Sequence, residues 1–124
     1  MIDILTRTII GSAIEVHKIL GPGLLESIYE SALCHELQLR QLQINQQIAV
    51  PVRYKNLEVR TPLCLDILVE NQIILEIKAV EKILPIHKAQ LLSYLKLTGL
   101  KLGLLINFGE ATLKQGIHRI VNGL

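Results

Sequence analysis

The sequence predicts an α/β sandwich, a central mixed β-sheet flanked by helices, in the order α-α-β-β-β-α-β. Three observations carry that prediction. Two stretches of helical periodicity open the chain, parted by Gly21-Pro22-Gly23. Three strand-like segments then follow one another, the pattern of an antiparallel meander. A third helical stretch and the short apolar segment Lys101–Phe108 come last. A strand that follows a strand and a helix lies parallel to an earlier strand through a right-handed crossover. The 124 residues suit one domain, 1–124.

The first helix covers residues 3–20. Ile2, Leu5, Ile9, Ala13, Val16 and Leu20 recur at three- and four-residue spacing. Proline between two glycines stops it. His17 lies beside the apolar stripe and reads as a packing or surface histidine. The second helix covers about 24–41, with Leu25, Ile28, Tyr29, Ala32, Leu33 and Leu37 as its apolar face and Glu36 and Arg40 as an i,i+4 pair. Glu26 sits in its first turn, where position alone makes it a complement to the helix dipole.

Residues 44–54 alternate, with Ile44, Ile48, Val50, Val52 and Tyr54 on one face, as in a half-buried strand. Pro51 suggests a sheet edge or a bulge, and Lys55-Asn56 a tight turn. A second strand runs from about Leu57 to Val69 with an interruption near Thr61-Pro62, and a third from about Ile73 to Ala79. Pro85 suits the first turn of a helix over 85–98 that Gly99 ends. The tail from Gly109 to Leu124 is poorly patterned. Ile117, Ile120 and Val121 offer to pack it down as a strand or a short helix.

Composition removes several classes. Half the chain is apolar, far from disorder. Phe108, Tyr29, Tyr54 and Tyr94 are the only aromatics, so aromatic stacking is not the expected binding mode. Net charge is +2, so a nucleic-acid partner must be argued from local charge. Cys34 and Cys64 are too few for a four-thiolate cluster and point, without a signal peptide, to the reducing cytoplasm. No apolar run approaches membrane-spanning length. The surplus of aliphatic residues predicts a homodimer.

The chemistry concentrates in Leu63–Lys78, an apolar hairpin that carries Asp66, Glu76 and Lys78. Charged groups are rarely buried unless paired or holding a metal. Two carboxylates and a lysine on one sheet face suit a divalent cation and a cationic side chain beside a water, the core of a metal-dependent nuclease. Glu76 and Lys78 share a face by strand alternation. Asp66 joins them only if paired residue numbers sum to an even number. A two-residue Asn71-Gln72 turn would turn Asp66 away. The site therefore requires a three-residue loop (Glu70, Asn71, Gln72) or a bulge near Asp66. Gln90 and Tyr94, four apart on the third helix, read as helix surface or as the edge of that site.

Asp66 followed after nine residues by Glu76-x-Lys78, with helical Glu26 upstream, resembles the PD-(D/E)XK nuclease superfamily. Gln90-Leu-Leu-Ser-Tyr94 resembles the QxxxY motif of its RecB-like branch. Gly23-Leu-Leu-Glu26-Ser-Ile-Tyr29 is similar to the signature of the GxxExxY proteins, a small bacterial and archaeal family placed in this superfamily. So are the segments Ile74–Val80, Ala89–Gly99 and Gly103–Phe108. The resemblance implies a restriction-endonuclease-like core and a nuclease acting on nucleic acid, in first place DNA. It implies that Asp66, Glu76 and the Ile77 carbonyl ligate Mg²⁺ or Mn²⁺, with Glu26 bound directly or through water. Lys78 would orient or deprotonate the attacking water or offset transition-state charge. Gln90 would steady Lys78 or a phosphate oxygen, and Tyr94 would flank the substrate path. The family's basic residue two before the aspartate is replaced by Cys64. That departure, modest charge and a lack of DNA-binding appendages favour an alternative, a nuclease-fold module that binds nucleic acid or a protein without turnover. A third reading makes the charged triad an internal ion-pair network.

Overall fold

The computed structural model describes residues 2–123. Helices α1 (Ile2–Leu20) and α2 (Glu26–Leu39) precede β1 (Ile44–Val50). A small hairpin follows, β2 (Arg53–Tyr54) and β3 (Leu57–Glu58), then β4 (Leu63–Val69) and β5 (Ile73–Lys78). Helix α3 (Pro85–Thr98), β6 (Leu102–Asn107), a 3₁₀ turn at Leu113–Gly116 and β7 (Ile117–Val121) complete the order.

The main sheet is ordered β1-β4-β5-β6-β7, and β2-β3 pair only with each other. β5 and β6 run parallel, and the other main-sheet pairs antiparallel. The expected mixed sheet and α3 crossover are both present. The central strands β5 and β6 are covered on both faces, which is why Ile-Ile-Leu-Glu-Ile-Lys and Leu-Gly-Leu-Leu-Ile-Asn read as apolar runs rather than alternating ones. On one face Ile67, Val69, Leu75, Ile77, Leu104 and Ile106 pack with Ile9, Ala13, Val16 of α1 and Tyr29, Leu33, Leu37 of α2. On the other, Leu65, Ile74 and Leu105 pack with Leu91 and Leu95 of α3. Each such side chain contributes on the order of 1.5–3 kcal/mol by leaving water. Gly103 leaves the room that Leu91 fills.

α3 begins at Pro85 and ends at Gly99, whose φ of 78° only glycine adopts at low cost. His17 is buried and bonds through Nε2 to the Glu110 carbonyl at 2.8 Å, a packing role. Arg40 Nε donates to Glu36 at 2.9 Å, the expected pair.

Two expectations are corrected. Leu25 and Ile28 do not belong to the buried face of α2: they are 71% and 43% exposed. Leu25 caps the helix from outside, and the stripe that meets the sheet is Tyr29, Leu33, Leu37. Residues 44–54 are not one strand with one apolar face. Pro51 interrupts the ladder after Val50, and Tyr54 is 62% exposed on the separate hairpin. Ile44 packs toward α1 and α2 while Ile48 and Val50 pack toward α3. Of the two forms expected for the tail, the structure has a strand for Ile117, Ile120 and Val121: a 3₁₀ turn is followed by an edge strand, β7.

Candidate active site at the fork between two strands

The β4–β5 register meets the parity requirement. Val69 pairs with Ile73, Leu68 with Ile74 and Ile67 with Leu75, leaving Glu70, Asn71 and Gln72 as the loop. Glu70 and Asn71 take φ of 52° and 53°, and the Gln72 N–H closes the turn on the Val69 carbonyl at 2.9 Å. Asp66 therefore stands opposite Glu76.

Pairing of the two strands stops at Ile67 and Leu75. Beyond it, side chains take over the ladder. The Asp66 N–H donates to Glu76 Oε2 at 3.0 Å, and the Ile77 N–H donates to Asp66 Oδ2 at 2.8 Å. β4 also changes face here, because Leu65 packs toward α3 while Ile67 packs toward α1 and α2. β1 makes the same switch around Gln47, which has a φ of 50° and opposes Asp66 in the register. The strands thus part as a fork with α2 on one side and α3 on the other.

Burial charges this fork unfavourably. Glu76 is 7% exposed. Burial first, then the nearby Asp66 charge, pushes its carboxyl up to about 8, against the opposing Asp66 N–H and Lys78. Asp66 is also raised, mainly by burial, with Glu30 and Glu26 adding to the rise and the Ile77 N–H and the Gln47 amide opposing it. The only ion pair among the described residues is Arg40–Glu36, so the triad is not an ion-pair network. Lys78, half-buried at the end of β5, acts on Glu76 through space.

Glu26 is the first residue of α2, and its Oε2 accepts the Ala79 N–H at 3.3 Å, just past Lys78. Its placement rests on Tyr29. The Tyr29 hydroxyl donates to the Gly21 carbonyl at 2.5 Å and accepts the Leu24 N–H at 3.0 Å, tying down the loop before α2. The Tyr29 ring stacks on Phe108, with centroids 4.5 Å apart. The end of β5 is held as firmly. Asn107, fully buried, accepts the Val80 and Gly109 N–H groups and donates to the Val80 carbonyl, all within 3.0 Å.

On α3, Tyr94 is half-buried, and its hydroxyl is raised by burial first and then by Glu76 and Asp66. It borders the fork. Gln90 is exposed one turn earlier and makes no side-chain hydrogen bond among the described residues. Two residues at the site escaped the sequence reading. Glu30 accepts the amides of Gln46 and Gln47 at 2.8–3.0 Å, and Gln47 also accepts the Cys64 thiol at 3.0 Å. The available signal was spacing: Glu30 lies four residues after Glu26, on the same helix face. Gln47 gave none, because its role depends on a left-handed φ.

Among the described residues no three Asp, Glu, His or Cys side chains converge as a metal-ligating group. The donor set at the fork nevertheless suits a hard cation. Asp66 and Glu76 are adjacent, desolvated carboxylates that lack an ion-pair partner, and each uses one oxygen to hold backbone. The Lys78 carbonyl is taken by the Phe108 N–H at 2.8 Å on the β6 side, so strand alternation directs the Ile77 carbonyl toward β4 and Asp66. Glu26 stands at the end of β5 and fits such a site through water. No helix among the described residues is long and apolar enough to cross a membrane.

No curated protein and no solved structure matches the chain. One family model does, that of the PD-(D/E)XK nuclease superfamily, over residues 3–120. With nearly all of its length in that match and a mixed sheet flanked by helices, the chain belongs to the PD-(D/E)XK nuclease superfamily.

Proposed function

We propose that this protein is a metal-dependent nuclease that hydrolyses phosphodiester bonds in nucleic acid, in first place DNA, and that it is a GxxExxY-type member of its superfamily. The observation that carries the reading is the pair of adjacent carboxylates, buried Glu76 and half-buried Asp66, set opposite each other with no ion-pair contact among the described residues. The GxxExxY assignment is supported by the way Tyr29 ties the loop around Gly23 and so seats Glu26.

Asp66, Glu76 and the Ile77 carbonyl would hold Mg²⁺ or Mn²⁺, with Glu26 bonded to the ion's water. A bound divalent ion supplies Lewis-acid stabilisation of phosphoryl oxygens and lowers the pKa of a bound water. Lys78, half-buried beside Glu76, would hold its ammonium against the charge that grows on the phosphate or against the attacking water. Tyr94 flanks the path to the fork, and Gln90, exposed on the same helix face, meets a phosphate oxygen. Glu30 and Gln47 orient Asp66 from the β1 side. Until a cation binds, the acidic fork keeps a phosphate from seating against Asp66 and Glu76 themselves.

The test is cleavage of single-stranded, duplex and branched DNA and of RNA with Mn²⁺. Lys78→Ala and Glu76→Ala should each lower the rate by at least about a hundredfold while the circular dichroism spectrum is kept. Wild-type protein that cuts none of these substrates refutes the reading.

A second reading, binding without turnover, draws on Cys64. Its thiol bonds to Gln47 where a basic residue would meet phosphate. Calorimetry with Mn²⁺ separates the two, since a module without a metal site gives no heat. Exposed Ile19, Leu25 and Leu39, at 72%, 71% and 63%, support a homodimer, which sedimentation as a monomer at micromolar concentration would rule out.

A further inference from the structure

The hairpin formed by β2 and β3 has no role in the core. The chain leaves β1 after Val50, and returns to β4 at Leu63, which pairs with Val50. Between them residues 51–62 project as an arm. Arg53 pairs with Glu58, Tyr54 with Leu57, and the Val59 N–H bonds to the Val52 carbonyl at 2.7 Å. Lys55 and Asn56 make the turn with φ of 48° and 68°, the pattern of a type I′ hairpin. Every residue of the arm except Val52 is exposed, and Tyr54 and Leu57 are 62% and 66% exposed. A two-stranded hairpin is marginal on its own in water. One without core contacts is not explained by the stability of the fold.

Its charge is distinctive. The chain has thirteen Lys and Arg and eleven Asp and Glu. The arm carries three of the first (Arg53, Lys55, Arg60) and one of the second (Glu58), and the remaining ten and ten cancel, so the arm holds the whole net charge of +2. None of its three cations has an ion-pair partner among the described residues.

Its position points at the site. β4 is antiparallel to β5, so the base of the arm at Leu63 lies beyond Asp66 at the end of the sheet where β5 finishes with Lys78. Three strand steps take the chain from Leu63 to Asp66, about 10 Å. The fork itself gathers Glu26, Glu30, Asp66 and Glu76 against one lysine, so it cannot supply the attraction that a polyanion needs.

We propose that residues 51–62 are the nucleic-acid-holding arm of this protein. Arg53, Lys55 and Arg60 contact backbone phosphates flanking the one presented to the fork, and Tyr54 and Leu57 lie against sugars or bases. The proposal rests on the nuclease reading for the identity of the polyanion, and its test is kept apart from cleavage.

Fluorescence anisotropy with labelled single-stranded DNA, duplex DNA and RNA of the same sequence, in EDTA, reads binding without turnover. Wild-type protein should bind with an affinity that falls with salt. The combined variant Arg53→Ala, Lys55→Ala, Arg60→Ala should bind at least about tenfold more weakly at low salt, with a log–log salt slope smaller by about 2–3, since each phosphate contact contributes roughly 0.9. The control Lys96→Ala, Lys101→Ala, Arg119→Ala removes the same charge away from the arm and should leave most of the affinity. Lys55→Glu, a single change at the exposed turn, should weaken binding as well and serves if the triple variant misfolds. An arm variant that binds like wild type, a control that loses as much, or a wild-type protein that binds no oligonucleotide in EDTA overturns the proposal. Arm-dependent binding without cleavage in Mn²⁺ supports the arm and removes the nuclease reading alone. The substrate bound most tightly identifies DNA or RNA as the source of the phosphates.

Discussion

Acidification should stabilise the metal-free protein. Glu76 holds its proton to about 8 when folded, against 4.5 as a free side chain. Between those values the folded state binds more protons than the unfolded chain, so stability is fully present below 4.5 and is lost as pH rises through about 8. Integrated from pH 6.5 to pH 8.5, the loss from Glu76 is about 2 kcal/mol. Asp66 is raised too and adds in the same direction. His118 is lowered by burial and opposes the trend only in the acidic range below 6.5, and Cys34, pushed up to about 12 by burial, adds little below pH 8.5. The assay is urea or thermal denaturation in EDTA at several pH values. The melting temperature should fall by on the order of 5–10 °C across that window. Glu76→Gln should flatten most of the dependence. Stability that is constant or rises with pH in EDTA refutes the account of the fork as two carboxylates held together against their charge.

Three further outcomes follow from the positioning contacts. Tyr29→Phe keeps the stack on Phe108 but loses both hydroxyl bonds to the loop at Gly21 and Leu24. It should cost about 1–2 kcal/mol in urea denaturation and lower metal affinity by calorimetry, because Glu26 loses its seat. Asn107→Ala removes three bonds to the backbone of Val80 and Gly109 in a fully buried place and should cost about 2–4 kcal/mol. Gly109→Ala would drive a methyl group into the Val80 backbone, whereas Gly103→Ala meets only the Leu91 side chain. The first should prevent folding, read as insoluble expression, and the second should cost about 1–3 kcal/mol.

Much of this architecture was legible in the sequence, for reasons that differ by element. α3 announced both ends because Pro85 and Gly99 act through local backbone chemistry. The hairpin loop could be deduced because parity ties loop length to the face that Asp66 occupies. The elements read less well are those set by the tertiary environment. Leu25 and Ile28 are as apolar as Leu33, and only the sheet's position decides which of them is buried. The face switch at Gln47 and Asp66 has no period, so no pattern search could find it. Val52 and Tyr54 continue the alternation of β1 past Pro51, which conceals the break between the main sheet and the arm. Among the candidate site residues, Asp66, Glu76 and Lys78 stand out as charges in an apolar hairpin, whereas Glu26 is legible only through the family resemblance. Glu30 and Gln47 were not, because they act through other residues rather than through a motif.

The two carboxylates that replace rungs of the β4–β5 ladder have a consequence for ligand entry. Each spends one oxygen on a neighbouring strand's N–H. Their orientation is therefore fixed by the same bonds that join the strands. On the proposed metal-binding reading, a cation would find its donors already aimed, and little side-chain freedom would remain to be lost on binding. The converse also holds: a slip of one residue between β4 and β5 would turn Asp66 away from Glu76 and abolish the bite. Misregistered chains would lack the paired carboxylates altogether, so the proposed site would exist only in correctly paired molecules.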